Sequence, residues 1–408
     1  MKHKKPELVA PAGDWPSLYS AIDAGADSVY FGVKGMNMRH AASNFDMLEI
    51  KKVMGLLKKN RRKGYLSLNV IVFNDETAKV KKILDRAREN GVDAVILWDM
   101  AVLKLAKEAG LNIHLSTQAS VANFEALKFY SSLGVKRVVL ARECSLSDIR
   151  TILGKIEQEK IDCRIETFIH GAMCVSISGR CFLSQESFSR SANRGKCLQP
   201  CRREFLIKNK EEDSQYILGR NYVLSSKDLC TIDIIDRLIT SGIHAFKIEG
   251  RIRSPEYVKV VTSVYRKAID AFLEDRLDGG GLKEDLRDRL KEVYNRGFST
   301  GFYLGEPGSG DFSKELENEH EKVFLGEIVK FYKKISVAEI FIRNEGIKVG
   351  QEILISGRTT PASFAKVTEL QQYHKPVDSA CIGEAVAIKL PFTARPKDKA
   401  FIWRRRRK

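Results

Sequence analysis

The stretch from Glu7 to Val33, ELVAPAGDWPSLYSAIDAGADSVYFGV, contains one complete structural unit. Glu7 to Ala12 is a short apolar run, Trp15 to Ala24 carries apolar residues at helical spacing, Gly25 stands where a helix would end, and Ser28 to Val33 is again β-rich. A strand, a helix closed by glycine and a second strand make the βαβ unit of a parallel sheet. The same rhythm recurs outward from it, with strand-like runs at Tyr65 to Val72, Ala94 to Trp98, Ile113 to Thr117, Arg137 to Ala141, Arg164 to Ile169 and Ala245 to Glu249. Amphipathic segments at Glu76 to Asn90, Ala101 to Ala109 and Asn123 to Leu133 lie between them, and Gly91, Gly110, Gly134 and Gly242 take helix-end positions. Eight such units predict an α/β fold, a TIM-like (β/α)8 barrel, with an open doubly wound sheet as the alternative arrangement.

The rhythm breaks once. About 75 residues separate the seventh and eighth predicted strands, and Cys174, Cys181, Cys197, Cys201 and Cys230 all fall in or beside that gap. Loops that follow barrel strands gather at the face where sites are built, so a Cys-rich insertion at about 171–244 would lie over the barrel mouth. The barrel then occupies residues 1–275. A linker and helical segment follows at 276–321, opening on Gly279, Gly280 and Gly281. From residue 322 to 403 the helical periodicity gives way to short alternating runs, which predict a small C-terminal β-barrel, and residues 404–408 form a basic tail.

Composition narrows the partners. The 408 residues are 43% hydrophobic, ample for a core, and 69 Lys and Arg against 52 Asp and Glu give a net charge of +17. Such an excess favours polyanions, nucleic acid first among them. No apolar run approaches the roughly 20 residues of a membrane span, and the basic start at Lys2, Lys4 and Lys5 is not followed by a secretory core. A cytoplasmic protein with no membrane partner is expected, and there clustered cysteines bind metal or do redox chemistry more often than they form disulfides.

The segment Glu166 to Arg203, ETFIHGAMCVSISGRCFLSQESFSRSANRGKCLQPCRR, carries the chemistry. Four or five thiolates on a glycine-containing loop suit an iron-sulfur cluster or a four-cysteine zinc site. A C-x-x-C pair is absent, and so is the radical-SAM spacing, because Glu204 stands where its third cysteine would be. His170, four residues before Cys174, is a candidate proton donor. Glu166 and Glu249 are carboxylates in apolar runs, either catalytic or paired with Lys247 or Arg251. Gln118 and Arg142 end predicted strands at the site-forming face. Arg180, Arg190, Arg194, Lys196, Arg202 and Arg203, with Phe182 and Phe188 interleaved, suit single-stranded RNA. Neither H-E-x-x-H nor G-x-S-x-G is present. Cys144 and Cys163 read as ordinary buried thiols.

The string ETFIHGAMC, with SGRC and then SANRGKCLQPCR, resembles the collagenase-like peptidase U32 family. The likeness extends through ELVAPAG at Glu7, VYFG at Val29, the Asn37, Arg39 and Asn44 segment, HLSTQ at His114, ARECSL at Ala141, SKDLC at Ser226 and KIEGR at Lys247. The resemblance implies hydroxylation rather than proteolysis, for the family includes enzymes that hydroxylate tRNA, a ribosomal RNA cytidine or ubiquinone precursors. Length, charge and the added β domain are most like the tRNA branch, which makes 5-hydroxyuridine at the wobble position with prephenate. That branch implies a 4Fe-4S cluster, the tRNA anticodon loop as partner, and a homo-oligomer or hetero-oligomer with a family paralogue. Cys174, Cys181 and Cys197 are then the firmest metal ligands, with Cys230 preferred to the competing Cys201 as the fourth. Arg142 or Arg251 would clamp the prephenate carboxylates, Gln118 and Arg194 would contact substrate, and His170, Glu166 and Glu249 would move protons. The alternatives are a collagenase-like peptidase, a hydroxylase of another RNA and a zinc-stapled RNA-binding module.

Overall fold

The computed structural model describes residues 4–203, 207–208, 211, 215–216, 224–277, 280–312 and 316–406. Lys2, Glu204, Gly279, the last two residues of the basic tail and most of 204–223 lie outside them. Nine of the ten strands in the first module's sheet build the barrel and its mouth: β1 (Glu7–Ala12), β2 (Ser28–Gly32), β3 (Lys63–Ser67), β4 (Ala94–Leu97), β5 (Ile113–Leu115), β6 (Val135–Val139), β7 (Arg164–Ala172), β8 (Asp228–Cys230) and β9 (Ala245–Ile248). All but β8 run parallel in the order β1 to β7, and β9 pairs with both β1 and β7. That double pairing closes the sheet, so the TIM-like barrel holds and the open sheet does not.

Local chemistry accounts for the boundaries. Helix α1 (Trp15–Asp23) starts where Asp14 accepts the Ser17 N–H at 2.8 Å. Strand β3 stops at Ser67, five residues before the predicted end. Leu68 still donates to the Ile96 carbonyl, but the Asn69 side chain bonds to Met38 N, Gln118 and Ser116 at 3.3–3.5 Å, turning the chain across the barrel end. Strand β8 has no place in the predicted rhythm. It lies antiparallel on the end of β7, with Asp228 opposite Ala172 and Cys230 opposite His170.

The barrel interior combines the apolar cluster Val9, Tyr30, Tyr65, Ala94, Ile96 and Ala245 with an ionic chain. Glu166, wholly buried, binds Lys247 Nζ at 2.7 Å and Arg137 Nη1 at 3.0 Å, and Arg137 Nη2 reaches Glu7 at 2.8 Å. Burial alone would raise the Glu166 pKa; Lys247, Arg137 and His114 outweigh it and hold the group below the carboxylate range.

The C-terminal module is an antiparallel sheet of eight strands in two stretches, joined where Lys399–Arg405 pairs with both His320–Tyr332 and Glu352–Ser356. Leu325, Ile340, Ile353, Ile388 and Ile402 form its own buried core. Leu354, Ala362 and Trp403 instead join the core of the barrel module, where Ala362 N donates to Ser20 at 2.9 Å and Lys322 pairs with Glu256 at 2.8 Å.

The chain makes acid sensitivity legible at one residue. Burial opposes ionisation of Glu7, yet Arg137, Tyr65 and Lys63 bring its pKa from about 4.5 down to about 2. Its stabilising contribution is therefore present above the unfolded value and lost as pH falls from about 4.5 through about 2. In Glu7→Gln, urea unfolding should show a stability slope across that window smaller by up to about 1.4 kcal/mol per pH unit.

Candidate active site at the barrel mouth

The C-terminal ends of the barrel strands open into one cavity. Tyr30, Ser67, Ile96, Val139, Phe168 and Lys247 form its floor, Asn69, Ser116, Gln118, Arg142, Glu249 and Arg251 its wall, and Cys174, Cys181, Cys197 and Cys201 line it from the insertion. Gly171 makes the junction. Its φ of +109° disfavours a side chain, and a Cβ there would lie 2.6 Å from the Glu249 carbonyl oxygen. Strands β7 and β9 can thus approach closely while the cysteine loop departs over the mouth.

Glu249 is the electrostatic centre. Arg39 holds its Oε1 with Nε at 3.0 Å and Nη2 at 2.9 Å, and Arg142 Nη2 stands 4.0 Å from Oε2. Burial would raise the Glu249 pKa, but Arg39, Arg142 and Arg251 together depress it, so the group is an anion at neutral pH. Arg251 is itself brought down to about 10, first by burial and then by Arg39. It donates to Asn37 Oδ1 at 3.0 Å and lies 5.6 Å from the Tyr30 ring centroid. Arg142 donates to the Ala172 carbonyl at 2.8 Å and packs 4.1 Å from the Phe168 centroid. One carboxylate among three guanidinium groups leaves an excess of positive charge suited to an anionic ligand.

The predicted residues divide between this cavity and the surrounding framework. Gln118 is in it, buried beside Ser116 and Asn69. Glu166 lies beneath it with both oxygens committed to Lys247 and Arg137, the structural alternative to catalysis. His170 is also outside the lining. Alternation from Glu166 and Phe168 would aim it inward, but β7 carries one extra residue against β9 between Phe168 and His170. The ring packs instead among Tyr257, Tyr265 and Phe298, with Nδ1 3.3 Å from the Tyr265 hydroxyl. Burial, with Arg253 nearby, lowers its pKa to about 3, so it is neutral at ordinary pH and a poor match for the expected acid. Arg194 is consumed by Glu76, 2.8 Å away, and by the Ile71 carbonyl, fastening the insertion to the loop after β3.

The cysteines expected as ligands divide between the cavity and the core. Cys230 on β8 is fully enclosed in the apolar core, beside the Tyr265 hydroxyl at 3.7 Å, and burial pushes its thiol up to about 12. It does not line the cavity; Cys201 does. Cys181 accepts the Leu183 N–H and Cys197 the Gln199 N–H, both at 3.3 Å. Burial raises the pKa of Cys197 and Cys201, and the neighbouring thiols raise it further. Four cysteine thiols on one cavity are the donor chemistry that a four-thiolate cluster uses, although among the described residues no three His, Cys, Asp or Glu side chains stand close enough together to form a metal-binding group.

Sequence reasoning passed over Arg39 as a site residue, although Asn37, Arg39 and Asn44 carried part of the family likeness. The signal was its position on the loop after β2, at the same face as the other strand ends. Lys247 and Tyr30, on barrel strands, and Asn69, just past the end of β3, were also missed as cavity residues.

The sequence profile of Peptidase family U32 matches residues 13–312. The chain belongs to that family. It is 42% identical over 406 residues to "Uncharacterized protease MJ0090" of Methanocaldococcus jannaschii, covering 97% of this chain and 98% of the relative. It is 37% identical to "Collagenase" of Porphyromonas gingivalis, covering 97% of both chains. Against "tRNA hydroxylation protein P1" of Bacillus subtilis the identity is 35%, over 87% of this chain and 84% of the relative. No helix among the described residues is long and apolar enough to cross a membrane.

Alkylation of the folded, metal-free U32 protein at pH 8 should label the exposed Cys174, Cys197 and Cys381 first. Cys144, Cys163 and Cys230, all buried with thiols pushed up to about 12, should react only after unfolding. Peptide mass spectrometry reads the order, and early labelling of Cys230 would place it on the cavity.

Proposed function

We propose that this protein is an iron-sulfur RNA hydroxylase that converts the wobble uridine of tRNA to 5-hydroxyuridine, with prephenate as co-substrate. One observation carries the reading: four thiols and three arginines around an ionised carboxylate share a single cavity. The relative named for tRNA hydroxylation, matched over most of both chains, supports the choice of RNA.

Cys174, Cys181, Cys197 and Cys201 would hold a 4Fe-4S cluster, with Cys201 replacing Cys230 because only Cys201 lines the cavity. A bound cluster of this kind supplies one-electron transfer. Arg142 and Arg251 offer guanidinium forks to a dicarboxylate; Glu249 keeps Arg142 and Arg39 oriented, and Asn37 keeps Arg251 oriented, until the ligand arrives. Lys247 completes the cationic floor while tethered to Glu166. Gln118 and Asn69 present amide donors and acceptors suited to the polar edge of an unstacked uracil. Glu166 and His170 act as framework in this reading, and the cytoplasm, where tRNA resides, is its setting.

Anaerobic reconstitution should give about four irons and four sulfides per chain with a broad absorption near roughly 400 nm. Cys201→Ala should lose that absorption and Cys230→Ala should retain it. Zinc bound without sulfide would remove the cluster from the proposal. Deleting the gene should abolish 5-hydroxyuridine derivatives in tRNA nucleosides, unless a paralogue replaces it; re-expression of Arg142→Ala should fail to restore them. The relatives named as collagenase supply the second reading, a peptidase, and collagen cleavage by cluster-free protein would favour it.

A further inference from the structure

The positive charge of the chain is concentrated in its C-terminal module and the tail that follows. Residues 322–403 hold 13 Lys and Arg against 8 Asp and Glu, and the basic tail at 404–408 adds five more positive charges. At one edge of its sheet, Leu370–Gln372 and Lys375–Val377 form a hairpin, with Gln372 opposite Lys375. The strands that pack on the barrel, which carry Leu354, Phe364 and Trp403, lie towards the opposite edge.

The tip of that hairpin consists of Tyr373 and His374. Both have positive φ, 48° and 63°, where Asn-Gly would be the unstrained choice and residues with a large side chain are disfavoured. Tyr373 is nevertheless 96% exposed, an aromatic ring presented to solvent at a strained turn. His374 and Lys375 are exposed beside it, and Lys375 forms no ion pair among the described residues. Burial cannot account for the ring, and turn preference runs against it.

We propose that this hairpin is an RNA contact, in which Tyr373 stacks on an exposed base while Lys375 faces the phosphate backbone. An aromatic face accepts any base, and the Lys375 ammonium supplies a sequence-independent attraction to phosphate. The module thus adds a second hold on the RNA, separate from the barrel cavity. This inference rests on the tRNA reading above and names a surface that reading does not require.

Fluorescence anisotropy of an unmodified tRNA transcript with the full-length protein tests it. Tyr373→Ala should weaken binding about tenfold, and Tyr373→Phe should stay within about twofold of the parent, because stacking needs the ring and not the hydroxyl. Lys375→Ala should reduce the slope of log Kd against log salt by about 0.7 to 0.9. Thermal unfolding of Tyr373→Ala at or above the parent midpoint would show that the fold is intact. If the parent binds tRNA and Tyr373→Ala binds equally well, the hairpin contact is overturned while the tRNA reading stands. If the parent binds no tRNA, both are overturned.

Discussion

The carboxylate of Glu166, buried inside the barrel, organises what lies above it. An ion in that position is tolerable only with full compensation, and Lys247 and Arg137 provide it from β9 and β6. Removing either cation would leave charge stranded in the interior, a change that typically costs about 3–5 kcal/mol. The network continues through Arg137 to Glu7 on β1, so it ties together strands on both sides of the β7 to β9 closure. Lys247 also packs 4.4 Å from the Tyr30 centroid, which fixes an ammonium group and an aromatic ring beneath the cavity.

A second constraint separates the framework from the chemistry. The one-residue irregularity in β7 sends His170 towards Tyr257 and Tyr265, while Gly171 lets the chain pass Glu249 and enter the cysteine loop. Without the extra residue, the alternation of β7 would put an imidazole into the cavity. With it, the cavity wall is built from Arg39, Arg142, Arg251 and Glu249, guanidinium groups and a carboxylate rather than an imidazole. An arrangement of this kind is better suited to binding and orienting anions than to shuttling protons through histidine.

The barrel was legible because its signal is repeated: each strand, helix and terminal glycine from Glu7 onward agrees with the next. The site was legible as a region, since strand ends and the loops after them share one barrel face. Individual assignments were less secure where a local departure governs direction. No periodic pattern marks the extra residue that turns His170 away, and SKDLC does not announce that β8 will bury Cys230 in the core. Arg39 escaped because it comes from a loop more than two hundred residues before its partner, Glu249. Such pairings depend on closure of the barrel, which sequence spacing does not display.

The cysteines illustrate how closure decides chemistry. Cys201 stands near Cys197 in sequence and Cys230 near the last barrel strand, so either is a plausible fourth thiol until direction is known. Strand β8 pairs Cys230 with His170 and turns both towards the helical layer, where Tyr265 touches each of them. The same pairing that stabilises the base of the insertion therefore withdraws a thiol from the mouth. Cys201 stays on the cavity because the chain around it is anchored differently: Arg202 Nη2 binds the Met173 carbonyl at 2.6 Å, and Arg202 Nη1 binds Ser225 at 3.0 Å. Arg202 thereby holds the segment after Cys197 against the segment before Cys174, bringing both ends of the cysteine loop to one side of the mouth.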